Sequence, residues 1–352
     1  MKIIGKCLKI WFDVLTPKQL LFFEPMIKKL SKKNQILTTT RNYREASELA
    51  KIRKQHMKIV GKHGGNENFG KLYASVERME KLVKIINRFK PDLTISFCSP
   101  DASRVAFGLG IKHIGFCNAP HSIAVMKLSV PLLTKLLIPK HIPKKEFEIF
   151  GINSSNIIQY NAMDEYIIIK NKSKKLQLPK LHLKKSRNIL FRTYETQASY
   201  VKNLKEFDTI NAIKVIANKF QNYNVIILGR YSEQIKKLNL ELKGNVIVLD
   251  KVVDSEAIFS ITDIFVGSGG TMTSEAALRG IPTISYDSVP NLDEKYLVKN
   301  GLIIRCKDYK KIPLVIKSVL EKDKKSIKNK AKKFLNAMED PYRKLEFVIK
   351  SL

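Results

Sequence analysis

The chain has 352 residues, 64 Lys and Arg against 32 Asp and Glu (a formal charge of +32), and 44% hydrophobic residues. At ~150 residues per domain this length suits two domains. The apolar fraction excludes wholesale disorder, and 16 Gly and 13 Pro without a fixed period exclude collagen-like or repeat-array architecture.

Cys7, Cys98, Cys117 and Cys306 form no CxxC pair, which argues against a zinc ribbon or disulfide framework and for reduced thiols in the cytoplasm. The N-terminus MKIIGKCLKIWFDVL runs into a strand-like pattern without a small-residue cleavage site. The longest apolar stretch, 123–139, is interrupted by Lys127, Pro131 and Lys135. It falls short of the ~20 uncharged residues of a spanning helix. Its apolar and Lys positions alternate at roughly helical spacing, so a peripheral site on the inner face of the membrane stays open. The excess charge suits polyanions. It is mostly Lys spread along the chain, denser at 170–185 and 322–333, with no aromatic RNA-binding box, no Cys/His finger and no Arg-rich arm. A solvated basic surface comes first, an anionic membrane surface second, nucleic acid last.

In chain order, apolar β-rich runs alternate with amphipathic helical stretches. A strand at 8–14 (LKIWFDV) precedes a helix at 19–30. A strand at 35–40, a helix at 43–53 and a short apolar run at 57–60 follow. Gly64-Gly65 marks a loop before a long helix at 69–89. Then come a strand at 92–97, a helix at 102–109 ending at Gly110, and a strand at 112–117. After the middle, strands at 188–192, 223–228, 245–249, 263–266 and 283–285 resume the pattern, with a helix at 207–220. Near-continuous apolar runs such as YNVIIL are what buried parallel strands require. The alternation predicts an α/β fold of parallel sheets with right-handed crossovers. The Lys-rich stretch 161–185, with Pro179 and no clear period, breaks the rhythm. The expected organisation is therefore an N-terminal Rossmann-like domain (1–165), a linker region (166–185), and a C-terminal Rossmann-like domain (186–339). The two doubly wound domains face a cleft, with ligands beyond the carboxyl ends of the strands.

The sharpest local signal is DIFVGSGGTMTSEAALRGIP, 263–282. A buried strand runs into Gly267-Ser268-Gly269-Gly270, a helix opens near Thr271, and Gly280 and Pro282 end it. Glycines let the backbone approach a ligand, and a helix N-terminus offers unpaired N–H groups and a positive dipole end: a diphosphate cradle. Thr271 and Glu275 share a helix face. A carboxylate there can accept two ribose hydroxyls; the alternative is a tight turn with Glu275 as a dipole-complementing surface charge.

The segment SGGTMTSEAALRGIP (268–282) resembles the nucleotide-sugar signature of GT-B glycosyltransferases of the MurG type. In those enzymes the glycine-rich turn holds the diphosphate and the Glu in the register of Glu275 binds the ribose. The non-hydrolysing UDP-N-acetylglucosamine 2-epimerases share the fold and a similar turn. From about Lys9 to the C-terminus the chain resembles the domain-of-unknown-function family 354. The supporting segments are KIWFDVLTPKQLLFFEPMIKKL, PDLTISFCSPDASRVAFGLG and FCNAPHSIAVMKLSVPLLTKLLIP. The resemblance implies a GT-B fold in which 340–352 is a helix crossing back to the first domain. It also implies that 123–139 is a crossover helix followed by the last strands of that domain. Two departures matter. The first loop, DVLTPKQ, lacks the glycines and His of the peptidoglycan enzyme, and Asn118 stands near the Glu expected of an epimerase.

Candidate bases are His121, after Asn118-Ala119-Pro120, and Asp13 and Asp101, each just beyond a strand. A loop His bonded to backbone, and N-cap or turn carboxylates, are the alternatives. Arg192, in Arg192-Thr193-Tyr194-Glu195, and Arg230, after Gly229, follow strands of the second domain and suit a diphosphate; surface charge is the alternative. His56, His63, His113 and His141 lie in no ligand spacing, and no HExxH, paired-Asp or Walker motif appears, so no metal and no cofactor are expected. Three functions stay open. The first is a metal-independent glycosyltransferase that binds a nucleoside-diphosphate sugar through Ser268, Gly269, Gly270, Thr271 and Glu275. Its acceptor is unknown, and a lipid-linked one is left open. The second is a nucleotide-sugar 2-epimerase-like enzyme. The third is a basic nucleic-acid- or membrane-binding protein on an inactive scaffold.

Overall fold

The computed structural model of the chain describes residues 7–172, 181–193, 209–286, 289 and 291–352. Tyr194, Glu195, the start of the helix expected at 207 and part of the expected linker lie outside them. The chain forms two compact units: unit 1 comprises Met1–Asn171 with Met338–Leu352, and unit 2 comprises Lys172–Ala337.

Unit 1 alternates strictly. Its elements are β1 (Lys9–Asp13), α1 (Pro17–Leu30), β2 (Gln35–Asn42), α2 (Arg44–Ile52), β3 (Lys58–Lys62), α3 (Asn68–Phe89), β4 (Leu93–Ser96), α4 (Pro100–Gly108), β5 (Lys112–Phe116), α5 (Ile123–Ser129), β6 (Lys135–Pro139), α6 (Lys145–Glu148), β7 (Ile157–Tyr160) and α7 (Glu165–Lys170). The stretch 123–139 is thus a helix and a strand, with Ile123 and Leu128 exposed and Met126 and Val130 buried. Where the sequence pattern breaks at 161, the chain first adds α7. Its consecutive Ile167 and Ile168 are both buried, so a short helix leaves no 3.6-residue signature.

Unit 2 contains β8 (Arg187–Arg192), α8 (Thr209–Lys219), β9 (Tyr223–Leu228), α9 (Ser232–Glu241), β10 (Val246–Leu249), α10 (Ser255–Ser260), β11 (Ile264–Gly267), α11 (Thr271–Leu278), β12 (Thr283–Tyr286), α12 (Leu292–Lys299), β13 (Ile304–Cys306), α13 (Ile312–Leu320) and α14 (Lys324–Asn336). The last helix, α15 (Pro341–Ser351), belongs to unit 1. Among the described residues no helix is long and apolar enough to cross a membrane.

Both sheets are wholly parallel. Their orders are β3-β2-β1-β4-β5-β6-β7 and β10-β9-β8-β11-β12-β13. Each is a doubly wound, Rossmann-like layer with helices on both faces, which is why β4, β9, β11 and β12 are buried at every residue. In unit 1 an aromatic cluster fixes α1 to the sheet, with Phe22 edge-on to Phe116 at 5.1 Å and Phe12 edge-on to Phe23 at 5.4 Å. Each such buried ring contributes ~1.5–3 kcal/mol. In unit 2, Ile213 and Ile216 of α8 and Ile312 and Ile316 of α13 cover one face, and Ile258, Phe259 and Ala276 cover the other.

These orders put a switch point between β1 and β4 in unit 1 and between β8 and β11 in unit 2. There the crossovers leave in opposite directions and a crevice opens beyond the carboxyl ends of the strands.

Candidate functional site

At the switch point of unit 2, β11 ends at Gly267. A Cβ there would meet the Phe265 ring at 2.5 Å and Thr273 Oγ1 at 2.7 Å, so any larger residue would displace the turn. Gly269 and Gly270 both hold φ near +80°, which only glycine takes without strain. Thr273 Oγ1 donates to the Gly269 carbonyl at 2.9 Å and pins the turn. The helix α11 then opens with Gly270 as its N-cap and no side chain capping it. Its first N–H groups therefore remain available, at the positive end of the dipole. Ser268 and Thr271 are half-buried beside them.

Glu275 lies one turn further and is buried. Ser255 Oγ donates to its Oε1 at 2.9 Å, and Arg279 donates to the same oxygen from Nε at 3.0 Å and Nη2 at 2.7 Å. Oε2 accepts from no described residue. Burial raises the carboxyl pKa, and Arg279 and Ser255 oppose that shift. Glu275 is thus not a surface charge but a carboxylate held by one oxygen with the other uncommitted.

Arg192 and Arg230 each donate to a backbone carbonyl at a strand end. Arg192 Nη1 donates to the Gly229 carbonyl at 2.8 Å, and Arg230 Nε donates to the Thr193 carbonyl at 3.1 Å. Each guanidinium ties down the end of the neighbouring strand. Sequence cannot show this, because the acceptors are backbone. Arg192 lies beside the glycine turn, since Val266 of β11 pairs with Phe191.

In unit 1 the switch point is filled. Asp13 has no exposed surface. It accepts a forked pair from Arg78, at 2.6 Å from Nη2 and 3.2 Å from Nη1, with Thr39 Oγ1 and Ser99 Oγ each donating at 2.7 Å. Arg78 Nη1 also donates to Asp101 at 3.0 Å, Ser75 Oγ donates to Asp101 at 2.5 Å, and Arg78 Nε donates to the Val60 carbonyl at 2.9 Å. Desolvation would raise the pKa of Asp13, but Arg78 and the hydroxyls outweigh it and hold the carboxyl below its usual range. Two expected bases are thus joined by an arginine that the sequence reading missed. A signal was present: Ala74, Arg78, Leu82 and Ile86 recur every fourth residue on the buried face of α3, with an arginine inside an apolar stripe. Gly61 makes room, since a Cβ there would lie 2.9 Å from Arg78 Cβ.

His121 is half-buried in the turn before α5, and no hydrogen bond joins it to Asp13 or Asp101. His113 is buried in β5 with Nε2 2.9 Å from Ser96 Oγ, and burial pushes its pKa down to about 3. Among the described residues no three His, Cys, Asp or Glu side chains converge as metal ligands.

Three known proteins bear on this geometry. An uncharacterized protein of Methanocaldococcus jannaschii is 28% identical over 313 residues, 87% of this chain and 89% of that protein. A UDP-GlcNAc 2-epimerase from Neisseria meningitidis, solved with UDP-GlcNAc, superposes with a TM-score of 0.70 at 16% identity, covering 95% of each chain. A spinosyn forosaminyltransferase superposes with a TM-score of 0.64 at 12% identity, covering 98% of this chain and 100% of its own. At these identities the likeness is one of fold, and the fold is GT-B-like: two Rossmann-like parallel-sheet units. The model of the family described as protein of unknown function DUF354 matches residues 8–350, and the chain belongs to that family.

Proposed function

We propose that the chain is a metal-independent glycosyltransferase that holds a nucleoside-diphosphate sugar on unit 2. The observation that carries the reading is the uncommitted Oε2 of Glu275, one turn past an uncapped helix start at the switch point. A ribose diol donates to that oxygen while the diphosphate lies on the N–H groups of α11. A charged hydrogen bond of this kind is worth ~1.5–3 kcal/mol. The N. meningitidis structure, a similar fold with a nucleotide sugar bound, supports the ligand class.

In the reaction, an acceptor hydroxyl loses its proton to a general base and forms a bond to the anomeric carbon. The bond from that carbon to the diphosphate oxygen breaks, and the nucleoside diphosphate leaves with the electron pair. The start of α11 stabilises that charge, and Arg192 adds positive potential. Of the candidate bases, Asp13 and Asp101 are buried against Arg78 while His121 is half-buried, so we assign the proton to His121.

An epimerase-like reaction would use the same donor site, and the partial exposure of the Asp101 side chain, 13%, keeps a carboxylate at hand for it. A thermal-shift series with UDP, GDP, CDP and TDP, free and as sugars, tests the donor site at ~0.3 M salt, where diffuse attraction to a basic surface is screened. A selective shift lost in Glu275→Gln supports the reading, and the absence of any shift overturns it. Product analysis without acceptor then separates transfer from epimerisation.

A further inference from the structure

Arg41 is the next-to-last residue of β2, at the carboxyl edge of the unit 1 sheet and one strand from Asp13. Its Nε is buried with no acceptor, and its guanidinium forms no hydrogen bond or ion pair with any described residue. The charges it senses are Arg78, Asp101 and Asp13, but both carboxylates are already bridged by Arg78. Arg41 is half-buried, and a cation so placed, with a buried Nε lacking an acceptor, gains from a bonded counter-ion.

The surroundings suit an anion. Lys62, exposed at the end of β3, pairs in register with Asn42 beside Arg41. Tyr43 lies 6.0 Å from the guanidinium and packs at a tilt against His63, ring centroids 5.2 Å apart. The Gly65 N–H donates to His63 Nδ1 at 3.1 Å, which ties the loop to the ring. The loop past His63 lies against the first turn of α3, since a Cβ on Gly64 would fall 2.4 Å from the Gly70 carbonyl. That 22-residue helix starts without a side-chain cap.

We propose that Arg41, with Lys62, forms an oxyanion subsite on unit 1 that takes a phosphate carried by the acceptor. This rests on the transferase reading for the identity of the phosphate's carrier, but not for the binding itself. Arginine suits a phosphate through forked hydrogen bonds. Phe69 and Leu72, 78% and 66% exposed, continue along α3 from its first turn. Two carriers share this chemistry, a water-soluble phosphomonoester and an alkyl phosphate whose chain follows those residues.

The test is calorimetric titration of the full chain with inorganic phosphate, glycerol 3-phosphate and octyl phosphate at ~0.3 M salt. Arg41→Gln is expected to weaken phosphate at least about tenfold, a loss of ~1.4 kcal/mol. Arg44→Gln, an exposed residue paired with Glu48, is expected to stay within about twofold and controls for net charge. Without phosphate, Arg41→Gln is expected to melt higher than the wild type. Arg41→Lys, which keeps the charge and loses the fork, should fall between. Phosphate affinity unchanged in Arg41→Gln overturns the proposal. So does a lower melting temperature in Arg41→Gln with affinity retained, which would make Arg41 a structural counter-charge to Asp101. Octyl phosphate binding more tightly than glycerol 3-phosphate, with the gain lost in Leu72→Ser, assigns a lipid carrier; equal affinities assign a soluble one. Nucleotide shifts in Glu275→Gln are read separately, so failure of the donor site and failure of this subsite are distinct results.

Discussion

At the switch point of unit 1, side chains close the crevice: Asp13 at the end of β1, Ser99 and Asp101 after β4, and Arg78 reaching across from α3. At the switch point of unit 2, between β8 and β11, a glycine turn brings backbone to the crevice and Glu275 keeps one oxygen uncommitted. The same topology is thus finished in opposite ways. Saturated polar groups make a crevice part of the core, where their worth is seen when one partner is removed. Unsaturated ones make it a receptor, because a ligand can supply the missing bonds.

Arg78→Met should produce the largest effect. It strands the fully buried Asp13 carboxylate and is expected to cost ~3–5 kcal/mol in the unfolding of unit 1, read by urea denaturation. The double variant with Asp13→Asn should recover much of that loss. Nucleotide shifts on unit 2 should survive both; their loss in a folded protein would erase the distinction between the crevices. Next, Glu275→Gln should weaken the selected nucleotide ~10- to 100-fold by titration, with a much smaller change in stability.

A third effect follows from His113. Its pKa is depressed from 6.5 to about 3, so the folded state keeps it neutral while the unfolded chain protonates. Its favourable contribution is complete above the unfolded value and is lost as pH falls below 6.5. Stability should therefore drop by ~2 kcal/mol between pH 7 and 5, and a His113→Leu variant should lack that slope. Asp13, whose pKa is lowered from 3.8, adds loss in the same direction only at more acid pH. The smallest change is Gly270→Ala. Open space surrounds the added methyl, so the expected ~1–2 kcal/mol is backbone strain at positive φ, measurable as a lowered melting temperature with reduced nucleotide affinity.

The strands and the glycine turn were legible because parallel strands and tight turns need particular residue types locally: YNVIIL for burial on both faces, Gly269 and Gly270 for left-handed backbone. What stayed hidden depends on distant partners. Arg78 lies 65 residues from Asp13 in sequence, and its charge looks like ordinary helix surface in VERME. The strand-end clasps of Arg192 and Arg230 end on carbonyl groups that every residue carries. Arg41 reads as one basic residue among 64, and its unmet Nε appears only once β2 is placed beside its neighbours. The residues of the glycine turn and Glu275 were named from a contiguous segment. The residues at the switch point of unit 1 come from separate strands and helices, and the sequence lists them without saying which touch.

The assignment of α15 to unit 1 bears on how the chain is made. Leu345 and Val348 of that helix have no exposed surface, and Asp340 just before it pairs with Lys29 at 2.8 Å. During synthesis the first 171 residues leave the ribosome long before these groups exist, and all of unit 2 is made in the interval. Unit 2 is therefore an insert that can finish within its host, while the host waits for the last dozen residues to cover its core. A stalled or clipped chain missing that tail would retain all of unit 2 but leave the core of the first unit open to proteases and chaperones.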